Sequence, residues 1–307
     1  MVGTLREPRA ALQIGRPAEW RGAERVGWPG LGGSTVGAMK IVAMVRSPED
    51  PQQAMAALAE AADMTMAEAR MRLAPEPPAL LARLDDAAAL ALTRALSASG
   101  LAVLSVDAVA PTGARVLARS LVLDDPSALT ITSRAGETFM APWSALQVIL
   151  RASSSVREKS ERTERTQKFD LVSSVVSSGL KNTKTVERTL RSQSEETEQS
   201  IFVFAEDGQR AVLRETALEF SCLGKALQPA RTANMVALAQ QLRARAPQAY
   251  FDDRLLRLGR RPLPFVVGGS EVSIHGANTQ QSRVSTASGV DVLAEVIRQA
   301  VGAGLLP

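Results

Sequence analysis

Residues 39–45, MKIVAMV, form an almost unbroken apolar run and predict a strand. Behind them Pro48, Glu49 and Asp50 suit the first turn of a helix, and Ala54, Leu58 and Ala61 recur at helical spacing. Thr65 followed by Glu68 reads as a capping box for a second helix that carries Met66, Ala69, Met71 and Leu73, and Pro75, Pro77 and Pro78 end it. Leu80, Leu81 and Leu84 predict a short strand. Asp85 and Asp86 open a third helix through Leu90, Leu92 and Leu96, Gly100 stops it, and Leu101 to Val106 close the sheet. The order strand, helix, helix, strand, helix, strand therefore spans 40–107.

After Pro111, Thr112 and Gly113 the pattern turns to strands. Val116 to Leu123 is rich in aliphatic residues, Leu129 to Thr132 alternates with period two, and Arg134 to Glu137 predicts a glycine turn into Thr138, Phe139 and Met140. Leu146 to Leu150 predicts another strand. Ile201 to Phe204 and Ala211 to Leu213 flank Asp207 and Gly208, a strong hairpin signal. A helix starting near Thr232 presents Met235, Leu238, Ala239 and Leu242 on one face and stops before Pro247. The expected fold class is thus α+β, a small βααβαβ domain at 40–107 followed by a strand-rich domain at 114–260 closed by a C-terminal helix.

Three stretches break the pattern. Residues 153–199 hold nine Lys/Arg, eight Asp/Glu and sixteen Ser/Thr, too polar for a core, and predict a mobile insertion. Within it Phe169, Leu171, Val172, Val175 and Val176 make an apolar island that docks either on the sheet or on a partner. Residues 262–307 predict an extension: a strand at Phe265 to Val267, a polar loop, and a helix with Val290, Leu293, Ile297 and Val301 on one face. That face either packs against its own domain, the commoner case, or is a candidate docking surface. Residues 1–38, with eight glycines, three prolines and five arginines, predict a disordered leader, or translation starts at Met39.

Composition narrows the chemistry. A lone histidine, His275, excludes zinc sites built on two histidines, and a lone cysteine, Cys222, excludes an internal disulfide. The sequence contains neither a G-x-S-x-G elbow nor a phosphate-binding G-x-x-x-x-G-K-[ST] loop. Adjacent acids at Asp85/Asp86, Asp124/Asp125 and Asp252/Asp253 stand where helix caps and turns are expected. The net charge of +4 and an aromatic content of 4% make a nucleic-acid surface an unlikely expectation, and the arginines Arg254, Arg257, Arg260 and Arg261 follow two aspartates that compensate them locally. No membrane-spanning run appears in the sequence, and a cytoplasmic location is expected.

The segments MTMAEARMRL, PEPPALLARL and DDAAALALTRALSASGLAVLSV resemble the C-terminal domain of the bacterial ribosomal stalk protein, whose fold is shared with the adaptor of the Clp protease. That resemblance implies a small protein-docking module whose basic helical surface recruits partners. The basic position before the motif's glutamate is Ala67 here, whereas Arg70 and Arg72 supply the later ones. The layout of strands and one helix over 114–247 weakly resembles a pleckstrin-homology-like domain, which implies protein or phosphoinositide binding. Of the basic loop that holds phosphate in such domains, Arg134 alone is present.

The sequence thus predicts a noncatalytic protein-protein interaction adaptor or scaffold, with no cofactor and no metal. The alternative is a peripheral membrane or phospholipid-binding protein acting through the strand-rich domain. The candidate interaction residues are Arg70, Arg72, Phe169, Leu171, Val172, Val175 and Val176.

Overall fold

The computed structural model describes residues 39–108, 115–169, 183–260, 263–264, 270–274 and 279–307, with side chains left aside at 160–169, 183–191, 270–274 and 279–281. The leader at 1–38, the strand expected at 265–267, His275, and Leu171, Val172, Val175 and Val176 of the island lie outside the described residues.

The first unit follows the expected order: β1 (Lys40–Met44), α1 (Pro51–Ala61), α2 (Met66–Leu73), β2 (Ala79–Leu84), α3 (Asp86–Ala98) and β3 (Val103–Asp107). Its sheet runs β2-β1-β3, with both outer strands antiparallel to β1. The local signals act as their chemistry dictates. Thr65 and Glu68 form a reciprocal capping box on α2, and Gly100 takes a φ of 82° just past α3. Asp50 lies outside the first turn of α1 and caps it, accepting hydrogen bonds from the backbone N–H groups of Gln52 and Gln53. Val42, Met44, Leu81, Leu58, Leu92 and Leu96 bury one face of the sheet against the helices.

The strand-rich part comprises β4 (Arg115–Val122), β5 (Ala128–Ser133), β6 (Thr138–Pro142), β7 (Leu146–Phe169), β8 (Thr183–Ala205) and β9 (Arg210–Arg214), followed by α4 (Arg231–Arg245). Antiparallel ladders join β4-β5-β6 and β7-β8-β9, and a parallel pairing of β4 with β9 links the two groups into one curled sheet. Leu129, Ile131, Phe139, Ile149, Val203 and Leu213 fill its inner face, and Met235, Leu238 and Leu242 of α4 complete that core.

Beyond α4 come β10 (Tyr250–Asp252), α5 (Leu255–Leu258), β11 (Ser270–Ile274), β12 (Thr279–Ser285) and α6 (Ala287–Gly302). Here the structure departs from one sequence expectation and decides between two others. The polar stretch before α6 is a hairpin rather than a loop: β11 pairs with β12, and β12 pairs with β7 from Ser285 opposite Val156 to Thr279 opposite Arg162. Of the two readings of α6, packing within its own chain is the one the structure shows, and the exposed docking face is the one it overturns. Val290, Val292, Leu293, Ala294, Val296, Ile297 and Ala300 are all buried, which leaves no apolar stripe for a partner.

That burial has two sources. Alternation along β1 and β3 turns Ile41, Ala43, Val45, Leu104 and Val106 away from the helices of the first unit, and these side chains meet α6. From the other side Val148, Leu150, Phe202, Phe204 and Val212 meet it too. The strands β7, β8 and β9 are therefore covered on both faces, which explains why their sequences are continuous apolar runs rather than alternating ones. A register shift between Leu146 and Val148 places Leu146 and Ile149 in the same core. The α/β unit and the strand-rich unit consequently share one hydrophobic core through α6.

A tight joint closes this assembly. Gly259, at the end of α5, lies so close to the backbone carbonyl of Ser153 that a Cβ would collide with it, and the same atom would fall 2.6 Å from Val290 Cγ2 and 2.8 Å from the Leu255 carbonyl. Gly259→Ala should therefore destabilise the fold by about 1–3 kcal/mol through overpacking. Leu293→Ala, which opens a void between two sheets, should cost about 2–5 kcal/mol. Urea unfolding in a Trp20→Phe/Trp28→Phe background, which leaves Trp143 as the one tryptophan, followed by far-UV circular dichroism and by Trp143 fluorescence from the strand-rich unit checks both. The two signals should shift together, because one core serves both units.

Candidate interaction surfaces

The largest correction concerns residues 153–199. Where a mobile insertion is expected, Ser153–Phe169 and Thr183–Gln199 form the outer halves of β7 and β8, paired residue by residue from Ser153 opposite Gln199 to Phe169 opposite Thr183. With β12 and β11 on the other side of β7, they make a ribbon in the order β11-β12-β7-β8 that continues from the doubly covered body. No hydrophobic face is needed to define its pairing. The register sets Arg157 opposite Glu195, Glu161 opposite Arg191, Glu164 opposite Arg188 and Arg165 opposite Glu187, four opposite-charge pairs against the single like pair of Lys168 and Lys184. A slip of two residues in one direction opposes Lys159 to Arg191 and Arg162 to Arg188, and in the other opposes Glu158 to Glu196. Opposite charges directly across a ladder stabilise it, and like charges destabilise it.

Among the described side chains, Arg157 and Glu195 approach to 3.2 Å, and Arg283 of β12 reaches Glu158 of β7 at 3.5 Å. These pairs are exposed, worth about 0–1 kcal/mol each. They select a register more than they hold the ribbon. From Ser192 to Thr197 every side chain is exposed, so neither face of β8 is covered there.

At its root the ribbon is fastened to the body by polar groups. The backbone N–H of Ser155 donates to Thr286 Oγ1 at 2.8 Å, and the N–H of Thr286 donates to the Ser155 carbonyl at 3.0 Å. On β8 the edge away from β7 is occupied by β9 only from Phe204 to Ser200. The next position is closed by Glu215, whose carboxylate accepts from the Gln199 N–H while its own N–H donates to the Gln199 carbonyl. Thr216 Oγ1 bonds the Glu198 carboxylate. From Thr197 to Thr183 no described strand pairs with that edge.

The other expected surfaces fare differently. Arg70 is exposed on α2. Arg72 is half-buried and donates from Nη1 to the Leu81 carbonyl at 3.0 Å, so its guanidinium braces α2 on β2. Phe169 is the last residue of β7, opposite Thr183. The acids expected to be caps and turn-makers are that: Asp85 accepts from the Ala88 N–H, Asp125 from Ser127, and Asp252 from the Arg254 N–H.

Beyond the local compensation expected for Arg254, Arg257, Arg260 and Arg261, two of these arginines tie remote parts of the chain together. Arg254 bonds the buried Asp252 carboxylate and the Tyr250 hydroxyl and reaches the Pro77 carbonyl at 3.1 Å, and Arg257 bonds Glu76 at 2.6 Å. Burial pushes the Asp252 carboxyl up, but the hydrogen bonds and charge of Arg254 outweigh it and hold the pKa below the usual range. The Asp-x-Arg spacing was the available signal, but the partner at Pro77 is remote in sequence.

A second buried acid lies on α6. Glu295 is 4% exposed and accepts from Arg298 and Gln299, with Arg210 of β9 at 3.6 Å, while Asp291 pairs with Arg115 of β4 at 2.9 Å. Desolvation raises the Glu295 pKa. The hydrogen bonds from Arg298 and Gln299 and the charges of Arg298 and Arg210 more than offset this, and the net shift is downward from 4.5.

Clefts offer little chemistry. One of about 640 Å³ is bordered by Gln147, Glu206, Arg243, Gln248, Tyr250 and Phe251, with the Arg243 guanidinium 4.9 Å above the Phe251 ring. Another of about 430 Å³ includes Cys222, whose thiol is pushed up by burial and so is held as the weakly nucleophilic protonated form. Among the described residues no group of His, Cys, Asp or Glu is arranged to hold a metal ion, and no helix is long and apolar enough to cross a membrane. No protein-family model, curated protein or solved structure matches the chain.

Because the folded pKa of Glu295 is depressed, its contribution to stability is fully present above the unfolded value of 4.5 and is lost as pH falls through the lower folded value. Asp252 acts with the same sign from 3.8 downward. Glu295→Gln should lower stability at pH 7 by about 1.5–3 kcal/mol and flatten the loss between pH 5 and pH 3. Urea midpoints for wild type and variant across that range provide the measurement.

Proposed function

We propose that this chain is a noncatalytic interaction scaffold that docks another polypeptide along its β-ribbon. The observation that carries the reading is the outer edge of β8 from Thr197 to Thr183, a run of strand with a neighbour on one side only among the described residues. Such an edge presents unpaired backbone N–H and C=O groups, and an added strand satisfies them. The backbone ladder supplies affinity, and the charges along the ribbon select the partner.

The remaining surfaces support the same direction. Arg70 stays available on α2 of the βααβαβ unit, in line with the docking role implied by the stalk-like order of elements. For a phospholipid role the strand-rich unit supplies a less suitable surface. The turn after β5 contributes Arg134, and the flanking Glu137 offsets its charge.

A photoreactive residue placed at Gln193 in the full chain, with Arg70 and Glu49 as comparison positions, tests the proposal in cells. Discrete protein adducts should form from Gln193 and be absent from Glu49. Flotation of the purified chain with phosphatidylglycerol-containing vesicles should leave the protein at the bottom of the gradient. Adducts to lipid alone, or co-flotation that Arg134→Glu abolishes, would replace the scaffold by a membrane-surface role.

A further inference from the structure

Resting on the reading of β8 as a docking edge, we infer that its partner is the same edge of a second copy, joined antiparallel about a two-fold axis at Leu190. The backbone parity comes first. Gln199 turns its N–H and C=O away from β7, toward Glu215. Strand alternation then turns the same groups of Thr197, Glu195, Gln193, Arg191 and every second residue back to Thr183 outward, while the intervening residues bond β7. The free edge is about 50 Å long at the ordinary strand rise. It is bounded at one end by the Glu215 cap and at the other by the end of β8, and its midpoint is Leu190.

Charge polarity supplies the reason for a second copy. Going from Thr183 toward the body, the charges run Lys184, Glu187, Arg188 and Arg191, a net basic half, and then Glu195, Glu196 and Glu198, an acidic one. A strand that is basic at one end and acidic at the other is complementary to itself when reversed. Pairing about Leu190 sets Lys184 opposite Glu196, Glu187 opposite Gln193, Arg188 opposite Ser192, and Thr183 opposite Thr197. No like charges face each other, and the whole edge is used. Sliding the copies by two residues toward the body opposes Glu187 to Glu195. Glu196 is exposed and has no ion-pair partner among the described residues, although it sits within a ribbon whose neighbouring acids Glu195 and Glu158 are paired.

The interface is isologous, so it closes at the dimer instead of propagating. The ribbon then becomes the centre of a continuous sheet that runs β11-β12-β7-β8 into β8-β7-β12-β11 of the second copy. The opposite outer edge of each copy is divided between β11, a strand of five residues, and β7 from Thr163 to Phe169, where β12 no longer pairs with it among the described residues, so each piece is a shorter template than the edge of β8.

The full chain should elute with the mass of a dimer in size-exclusion chromatography with light scattering, from low to high micromolar concentration. Gln193→Pro removes an outward N–H without touching the ladder to β7, so it should weaken association by at least about tenfold, equivalent to about 1.4 kcal/mol, at an unchanged melting temperature. Lys184→Glu should weaken the dimer, and adding Glu196→Lys should restore it. In a Cys222→Ser background, Leu190→Cys should form an intermolecular disulfide on mild oxidation, because the two copies of this position face each other at a non-hydrogen-bonded site. A monomer at every concentration, or a dimer indifferent to Gln193→Pro, overturns the inference, as does a dimer in which Leu190→Cys does not crosslink. A monomer that still yields foreign protein adducts from Gln193 refutes self-pairing and leaves the scaffold reading intact, whereas loss of both refutes both.

Discussion

The described part of the fold from Met39 onward is arranged around one helix held between two sheets. In α6, Val290, Leu293, Val296, Ile297 and Ala300 are buried nearly all round because the sheet of the α/β unit covers one side and β7-β8-β9 the other. A helix in that position needs apolar residues around most of its circumference, and any polar group it carries must be matched. Asp291 and Glu295 meet that requirement through Arg115, Arg210 and Arg298. Removing one partner from such a pair leaves an uncompensated buried charge, so these contacts orient the helix even where their net contribution to stability is small.

The local fold was readable from the chain because each element carries its own signal. The Thr65/Glu68 box, the stop at Gly100 and the Asp207-Gly208 turn depend on residues a few positions apart. The arrangement of units was not readable in this way. A continuous apolar run such as Ile201 to Ala205 states that both faces are covered, but not by what. The cover here is α6, which lies more than eighty positions further along the chain. The same distance hid Arg254, whose spacing to Asp252 is visible while its reach to Pro77 is not.

The ribbon failed to register for a different reason. Strand recognition relies on apolar alternation, and β7 beyond Ser155 has almost none. Its signal is a pattern of charges that match only between the two strands: Arg157 with Glu195, Glu161 with Arg191, Glu164 with Arg188. Composition treats such a segment as polar chain, since nine cations and eight anions nearly cancel. Of the candidate residues, Arg72 went to bracing its own helix and Arg70 remained at the surface, while the residues now most informative, Gln193 and Glu196, belong to a stretch the polarity had marked as mobile.

Body and ribbon are consequences of the same strands under two kinds of constraint. Up to Ala152 and from Ser200 onward, β7 and β8 are fixed by burial on both faces, and a register error would expose or bury whole rows of side chains. Beyond that point only charge distinguishes one register from another locally, and the energy per pair is small and screened by salt. The buried segment therefore aligns the ladder, the Ser155–Thr286 bonds and the Glu215 cap mark where burial ends, and the polar segment inherits an alignment it would hold only weakly alone. A long edge with two wet faces is poor at stabilising its own chain. It is well suited to presenting an ordered row of backbone donors and acceptors, which is the property a strand-pairing surface requires.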